Sequence, residues 1–172
     1  MARAKKVGSS VEVKSNVELV KDQLMKALNE AAEMIGGIIE GHAKELCPVD
    51  TGLLRNSIIH TRSGKRVNKV YLSDIFDENN QLKPHTSGRY DFEILPEEGE
   101  KVTVIVGTNV KYAPFVELGH MQEPGRFVPA IGKRLKASHV AARPFLRPAW
   151  ENNMDEINQA LHLVLVKHRL DT

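Results

Sequence analysis

From Val17 onward, apolar residues recur at alternating steps of three and four. They are Val17, Val20, Leu24, Ala27 with Leu28, Ala31, Ile35, Ile38 with Ile39, and His42. That period is one face of an α-helix. Ser15 and Glu18, three positions apart, read as the capping box that starts it. Leu46-Cys47-Pro48 ends it, because the residue before a proline is driven out of the helical region. About thirty residues at ~1.5 Å each span roughly 45 Å. A helix that long is expected to run along a sheet or a neighbour. Gly36-Gly37 at its middle costs about 1 kcal/mol per glycine against alanine, and marks a bend or a close packing contact.

Beyond Pro48 the helical period is lost. Pro48-Val49-Asp50-Thr51-Gly52 is a turn by composition, with Asp50 as an Asx-type turn residue. Leu53–Ile59 is expected to enter a strand. A basic bend, Ser63–Arg66, separates it from a second strand over Val67–Leu72. Residues 73–89 are polar and read as a long exposed loop. Tyr90–Leu95 is a short strand, and Lys101–Gly107, rich in β-branched residues, is the strongest strand in the chain. Tyr112–Leu118 reads as a short helical turn ended by Gly119. Residues 120–142 are basic and irregular. A last helix starts near Pro148, with Trp150, Met154, Ile157, Leu161, Val164 with Leu165, and His168 on its apolar face. Strands grouped between helices predict an α+β fold. A long N-terminal helix and a C-terminal helix would pack on a mostly antiparallel sheet, with long charged loops. Residues 1–14 read as a flexible basic tail and 15–172 as a single domain.

Composition adds limits. The chain has 172 residues, 41% hydrophobic and 27% charged, with a formal charge of +2. Those values suit one globular domain and do not mark a dedicated nucleic-acid binder. The small total hides segregation. Residues 51–72 hold five bases (Arg55, Arg62, Lys65, Arg66, Lys69) and no acid. Residues 73–100 hold eight acids against Lys83 and Arg89. Residues 124–150 hold six bases and no acid. Asp91, Glu93, Glu97 and Glu98 on one side, and Arg126, Lys133, Arg134 and Lys136 on the other, are candidate surfaces for a neighbouring copy or a partner.

The single cysteine, Cys47, excludes an internal disulfide and any zinc site needing two thiolates. The basic start, Met1–Lys6, leads into no apolar stretch, so no signal peptide is expected. No uncharged run approaches the ~20 residues of a membrane span. Catalytic chemistry finds no foothold. Cys47 has His42 five residues earlier, off its own helical face, and reads as a buried, inert thiol. The seven histidines, among them His162 and His168 near the end, show no ligand spacing. There is no glycine-rich phosphate loop. Asp50 and Glu117 are carboxylates beside turns with no sign of a shared cleft. The expectation is therefore no enzyme, no cofactor and no metal. Phe127 and Phe145 lie among arginines, a pattern that stacking on single-stranded nucleic acid could use. Both stand beside prolines, which suits a rigid docking segment better. A nucleic-acid-binding module built on residues 51–72 and 124–150 is the alternative.

Three pieces in order carry a family resemblance. They are Cys47-Pro48-Val49-Asp50-Thr51-Gly52-Leu53-Leu54-Arg55-Asn56-Ser57-Ile58, then Val106–Gly119 with its Tyr112-Ala113-Pro114-Phe115-Val116-Glu117-Leu118-Gly119 ending, then Ala142-Arg143-Pro144-Phe145-Leu146-Arg147-Pro148-Ala149. Set between a long helix and a terminal helix, they resemble a bacteriophage tail-component family of small neck, head–tail joining or tail-completion proteins. The resemblance spans roughly residues 17–170, with 73–98 and 120–141 longer than the family's loops. It implies a structural protein of the virion, assembled in the host cytoplasm. Identical subunits would form a ring at the head–tail junction, with a monomer before assembly as one option, and bind connector and tail-tube proteins. DNA would only pass through the ring, and no membrane is involved. It further implies structural roles: Pro48, Asp50, Thr51, Gly52, Leu53 and Arg55 in the turn leading from the first helix. Tyr112, Ala113, Phe115, Glu117 and Gly119 would form the short helical element packed near that turn. Arg143, Pro144, Phe145 and Pro148 would anchor the terminal helix.

Overall fold

The computed structural model describes residues 16–72, 87–93, 101–129, 132–136 and 138–168. Helix α1 runs Val17–Leu46, as the apolar period predicts, with Cys47 leaving it in an extended conformation. Asn16 is its N-cap and makes no side-chain cap bond. Ser15, the expected capping residue, lies outside the described residues, as does the whole 1–14 tail. Helix α2, Leu53–Ser57, stands where a strand was expected. The Thr51 hydroxyl accepts the Leu53 N–H at 3.4 Å, and the Asn56 N–H returns to the Gly52 carbonyl at 2.9 Å. Those two bonds start a helical turn, and Leu and Arg favour its continuation. The chain extends only after it, into β1 (Ile59–Arg62).

Strand β2 is Arg66–Leu72, and β3 (Ser87–Glu93) begins three residues earlier than Tyr90. Strand β4 is shorter than its composition suggested, Val104–Gly107. All the ladders are antiparallel, yet they do not form one sheet. β1 pairs with β4, in register His60↔Val106, and β2 pairs with β3, in register Lys69↔Tyr90. The fold is α+β with separate two-stranded ladders, of which β1–β4 packs along α1.

Helix α3 is Ala113–Leu118, ended by Gly119. Residues 120–140, expected to be irregular, form a nested antiparallel ribbon. Its strands are β5 (His120–Met121), β6 (Phe127–Val128), β7 (Lys133–Arg134) and β8 (His139–Val140), paired β5 with β8 and β6 with β7. The expected single terminal helix is two: α4 (Leu146–Glu151) and α5 (Met154–Lys167). The break falls at Asn152-Asn153, where the Asn153 amide donates to the Ala149 carbonyl at 3.0 Å. Asparagine side chains compete for backbone groups in this way and weaken a helix interior. Ile157 and Val164 are buried as expected, but Trp150 and Met154 face outward.

The main core gathers Ile39, Ala43, Cys47, Leu54, Ile58, Ile59, Tyr71, Tyr90, Val110, Ala113, Phe145, Ala149 and Ile157. A smaller cluster, Ala27, Ala31 and Val164, seals α1 against α5. The two helices run antiparallel: His42 reaches Glu156 at one end (2.7 Å) and Glu30 reaches His168 (2.9 Å) and Lys167 (2.5 Å) at the other. Gly36 settles the meaning of the glycine pair. A Cβ there would stand 2.7 Å from the His60 ring, so β1 can approach α1 only across a glycine. His60 is then fixed by Glu40, which accepts its backbone N–H at 2.8 Å and lies 2.5 Å from Nδ1. Glu33, two turns N-terminal to Glu40, takes Arg62 (3.2 Å) and Lys65 (2.7 Å).

Candidate functional site

The turn from α1 to α2 is held by Thr51, not by Asp50, which stands exposed. Gly52 takes the left-handed conformation, φ 75°, that lets the chain reverse into α2. Tyr112 and Phe115 of α3 lie across from this turn. Ala113, between them, is buried in the main core.

Glu117 does more than its position suggested. Its carboxylate accepts the N–H groups of Phe145 (2.8 Å), Leu146 (3.1 Å) and Arg147 (3.1 Å). A helix start leaves four N–H groups without intrahelical partners. For α4 these belong to Phe145, Leu146, Arg147 and residue 148. Three go to Glu117, and the fourth does not exist because residue 148 is proline. Pro148 is thus the third residue of α4, not its first. The glutamate of the second motif and the Phe-Leu-Arg-Pro of the third make one cap. Charge-assisted bonds of this kind are stronger than neutral ones, and the negative carboxylate also suits the helix N-terminus. The Phe145 ring beneath the cap is fully buried, at 0% exposure.

The same cap clamps the root of the ribbon. The chain leaves α3 through Gly119 at φ 71°, where a Cβ would strike the Val140 carbonyl at 2.6 Å. It returns through Arg143, whose N–H donates to the Val116 carbonyl at 2.8 Å. In between, Gln122 N–H donates to Ser138 (2.9 Å), and Leu135 N–H to Arg126 (2.9 Å). Arg134 donates to the Gly125 carbonyl at 2.8 Å and lies over the Phe127 ring at 5.9 Å.

Turn, α3 and ribbon root enclose an open groove of about 920 Å³. Pro48–Leu54 form one wall, Tyr112, Phe115 and Val116 a second, and His120, Val128, Val140, Ala141 and Arg143 the third. Val49, Tyr112 and Phe115 (54%) are exposed around it, and so are Leu118 and Met121 nearby. Apolar exposure grouped in this way marks an interaction surface. His120, its ring tilted 51° against Phe115 with centroids 5.3 Å apart, keeps a buried Nδ1 with no hydrogen-bond partner among the described residues.

The remaining expected residues sort clearly. Leu53 packs on the core, and Arg55 stands half-buried on α2. Cys47 is buried. Burial pushes its thiol up to about 11, with Arg55 opposing and Glu117 adding to the shift. A thiol held neutral at physiological pH is a poor nucleophile. Pro144 is exposed. Arg126, Lys133, Arg134 and Lys136 come together on the ribbon, all exposed. Asp91 is not gathered with them as an open acidic face. It sits on the β2–β3 hairpin and pairs there with Arg66 (3.2 Å) and Arg89 (3.6 Å). The Glu93 side chain, Glu97 and Glu98 lie outside the described residues. Among the described residues no cluster of three or more His, Cys, Asp or Glu could hold a metal, and no helix is long and apolar enough to cross a membrane.

Comparison with known proteins then decides the family. Residues 11–119, well over half of the chain, match the profile of the bacteriophage HK97-gp10-like tail components. The chain belongs to that family. No curated protein and no solved structure matches it. The tail component is thus a structural protein of the phage tail or head–tail region, which places it in the virion among other phage structural proteins. The match is shorter than the 17–170 span expected from the three motifs. It ends at Gly119, where the ribbon departs, so the third motif lies beyond the matched region and is tied to it by the Glu117 cap, the Arg143–Val116 backbone bond and the shared core.

Two features of this site were not read from the sequence. The Glu117 cap joins residues about thirty positions apart, and no local spacing reports it. The ribbon did leave a signal: Pro124-Gly125 and Pro129 with Gly132 are turn residues flanking short β-prone pairs.

Proposed function

We propose that this tail component works at the head–tail junction, in a neck, tail-completion or tail-terminator role. Identical subunits form a ring, which binds the adjacent connector or tail-tube proteins and performs no chemistry. Residues 15–172 act as one α+β unit behind a basic N-terminal tail, and DNA only passes through the ring. The observation that carries the reading is the open apolar groove built from the family's own motif residues. Pro48, Asp50, Thr51, Gly52 and Leu53 shape one wall, and Tyr112 and Phe115 the other. A surface of that kind, clamped by the Glu117 cap, suits contact with another protein better than catalysis. Heterologous contacts, in which one patch meets a different patch on the next copy, close into rings. Arg126, Lys133, Arg134 and Lys136 add a basic arm for an acidic neighbour.

Three of the five bases in the first segment of the nucleic-acid reading are engaged within the chain. Arg62 and Lys65 pair with Glu33, and Arg66 with Asp91, inside the chain. Electron microscopy and native mass spectrometry of the purified protein, alone and with connector and tail-tube proteins, test the proposal. Closed rings on those partners are expected. A protein that stays monomeric with every partner, or binds DNA with steep salt dependence, contradicts it.

A further inference from the structure

Helix α1 outruns its partner. α5 ends beside Glu30, so residues 17–26 project past it by about 15 Å of helix. The apolar stripe does not stop there. Val17, Val20 and Leu24 continue the line of Ala27 and Ala31 that α5 covers further along. Val20 is 52% exposed and Leu24 40%. They line a shallow apolar hollow with Asn16, Lys21 and Met25. The motif groove lies at the other end of the same helix, starting at Pro48. One chain therefore carries an apolar helix face and an apolar groove, separated by roughly 35 Å of continuous helix. That rigid span keeps the projecting face of a chain from reaching its own groove.

We propose that the projecting face of α1, centred on Val20 and Leu24, seats in the motif groove of a neighbouring copy. Copies then join head to tail. The inference rests on the ring reading above and names its contact. Three observations favour a second copy as the occupant. The face is continuous with the α1–α5 seam, so it is already shaped to pack against protein. Face and motif groove are two different surfaces of one chain, the arrangement a heterologous ring contact needs. The hollow carries Lys21, and the groove wall carries the exposed Asp50, opposite charges that a docked pair brings together. A helix laid in a groove reads its partner through residues at i, i+3 and i+7, the spacing of Val17, Val20 and Leu24.

The test uses two full-length variants, Leu24→Glu and Phe115→Glu. Each changes an exposed side chain, and circular dichroism with a melting curve checks that each folds. Wild type is expected to self-associate by light scattering, and each variant alone to be monomeric. Mixed in equal amounts, the two are expected to give a one-to-one dimer and nothing larger. The Leu24→Glu chain keeps its groove and the Phe115→Glu chain keeps its helix face, so only one contact can form. Folded variants that retain wild-type assembly, or that fail to pair when mixed while wild type assembles, overturn the inference and leave the ring reading standing. A Leu24→Cys chain that oxidises to a dimer with itself also overturns it, since face then meets face. Wild type that stays monomeric at its highest soluble concentration overturns the inference; if it stays monomeric with connector and tail-tube proteins too, the ring reading falls with it.

Discussion

The α4 cap and the ribbon it clamps are adjacent in the chain and opposite in construction. At the cap, Phe145 is wholly buried and three backbone N–H groups converge on Glu117. Along the ribbon, Arg126, Phe127, Lys133 and Arg134 face outward and the backbone ladder does the holding. Phe127 is 51% exposed there under Arg134. Both stretches read as basic, proline-flanked and aromatic in the sequence. Burial separates them: one phenylalanine holds the fold together and the other is presented. A tail component needs both, because an arm that meets a neighbour must be aimed by something that does not move.

That contrast can be broken in order of effect. Phe145→Ala should cost roughly 3–5 kcal/mol, the range for emptying a buried aromatic site, read as a lower melting midpoint. Phe127→Ala should change stability by no more than about 0.5 kcal/mol, as for an ordinary surface position. Equal effects from the two would remove the distinction. Next, Glu117→Ala should cost about 2 kcal/mol, since it strips a charged cap from three N–H groups. Asp50→Ala, at an exposed carboxylate, should sit near zero. If instead Asp50 proves the more costly, the turn is held differently from the Thr51 bond described above.

Acid should act on the α1 scaffold. Lys65 holds the Glu33 carboxyl below the usual range. Burial raises that of Glu40, but bonds from Lys44 and His60 outweigh it and leave it lowered. A lowered carboxylate stabilises the fold above its unfolded pKa, about 4.5. That contribution is lost as pH falls through the folded value. Denaturant midpoints should therefore drop below pH ~4.5, and Glu40→Gln should flatten the drop. His42 runs the other way and more weakly. Its bond to Glu156 raises its pKa above 6.5. The stabilisation is complete below 6.5 and fades as pH rises through the folded value. Glu156→Gln should erase that small slope. Smallest of all in stability, Arg134→Glu with Lys136→Glu should leave the melting midpoint alone and weaken association at low salt.

The long helix was legible because its signal is periodic and local. Val17–Leu46 is the span the apolar stripe and Pro48 define. The Pro48–Gly52 turn, the Gly119 stop and the burial of Cys47 followed from residue chemistry in the same way. What escaped depended on distant or competing bonds. Leu53–Ser57 became helix because Thr51 and Gly52 fix its first turn, overriding the β-branched residues that follow. The terminal helix broke at Asn152-Asn153, where the Asn153 side chain competes for the Ala149 carbonyl. The Glu117 cap pairs a short helix with one that starts a ribbon's length away. Trp150, placed on the buried face by period alone, turned outward once the helix split.

The most direct test is backbone hydrogen exchange on the free protein and on its assembly with tail partners. Amides of Phe145, Leu146 and Arg147 should already exchange slowly in the free protein, because the cap is complete there. Amides of α3, the Thr51–Leu53 turn and the ribbon should slow only on assembly. Fast exchange at the cap, or no added protection around Phe115 and the ribbon in the assembled state, would contradict a rigid root presenting an interaction surface.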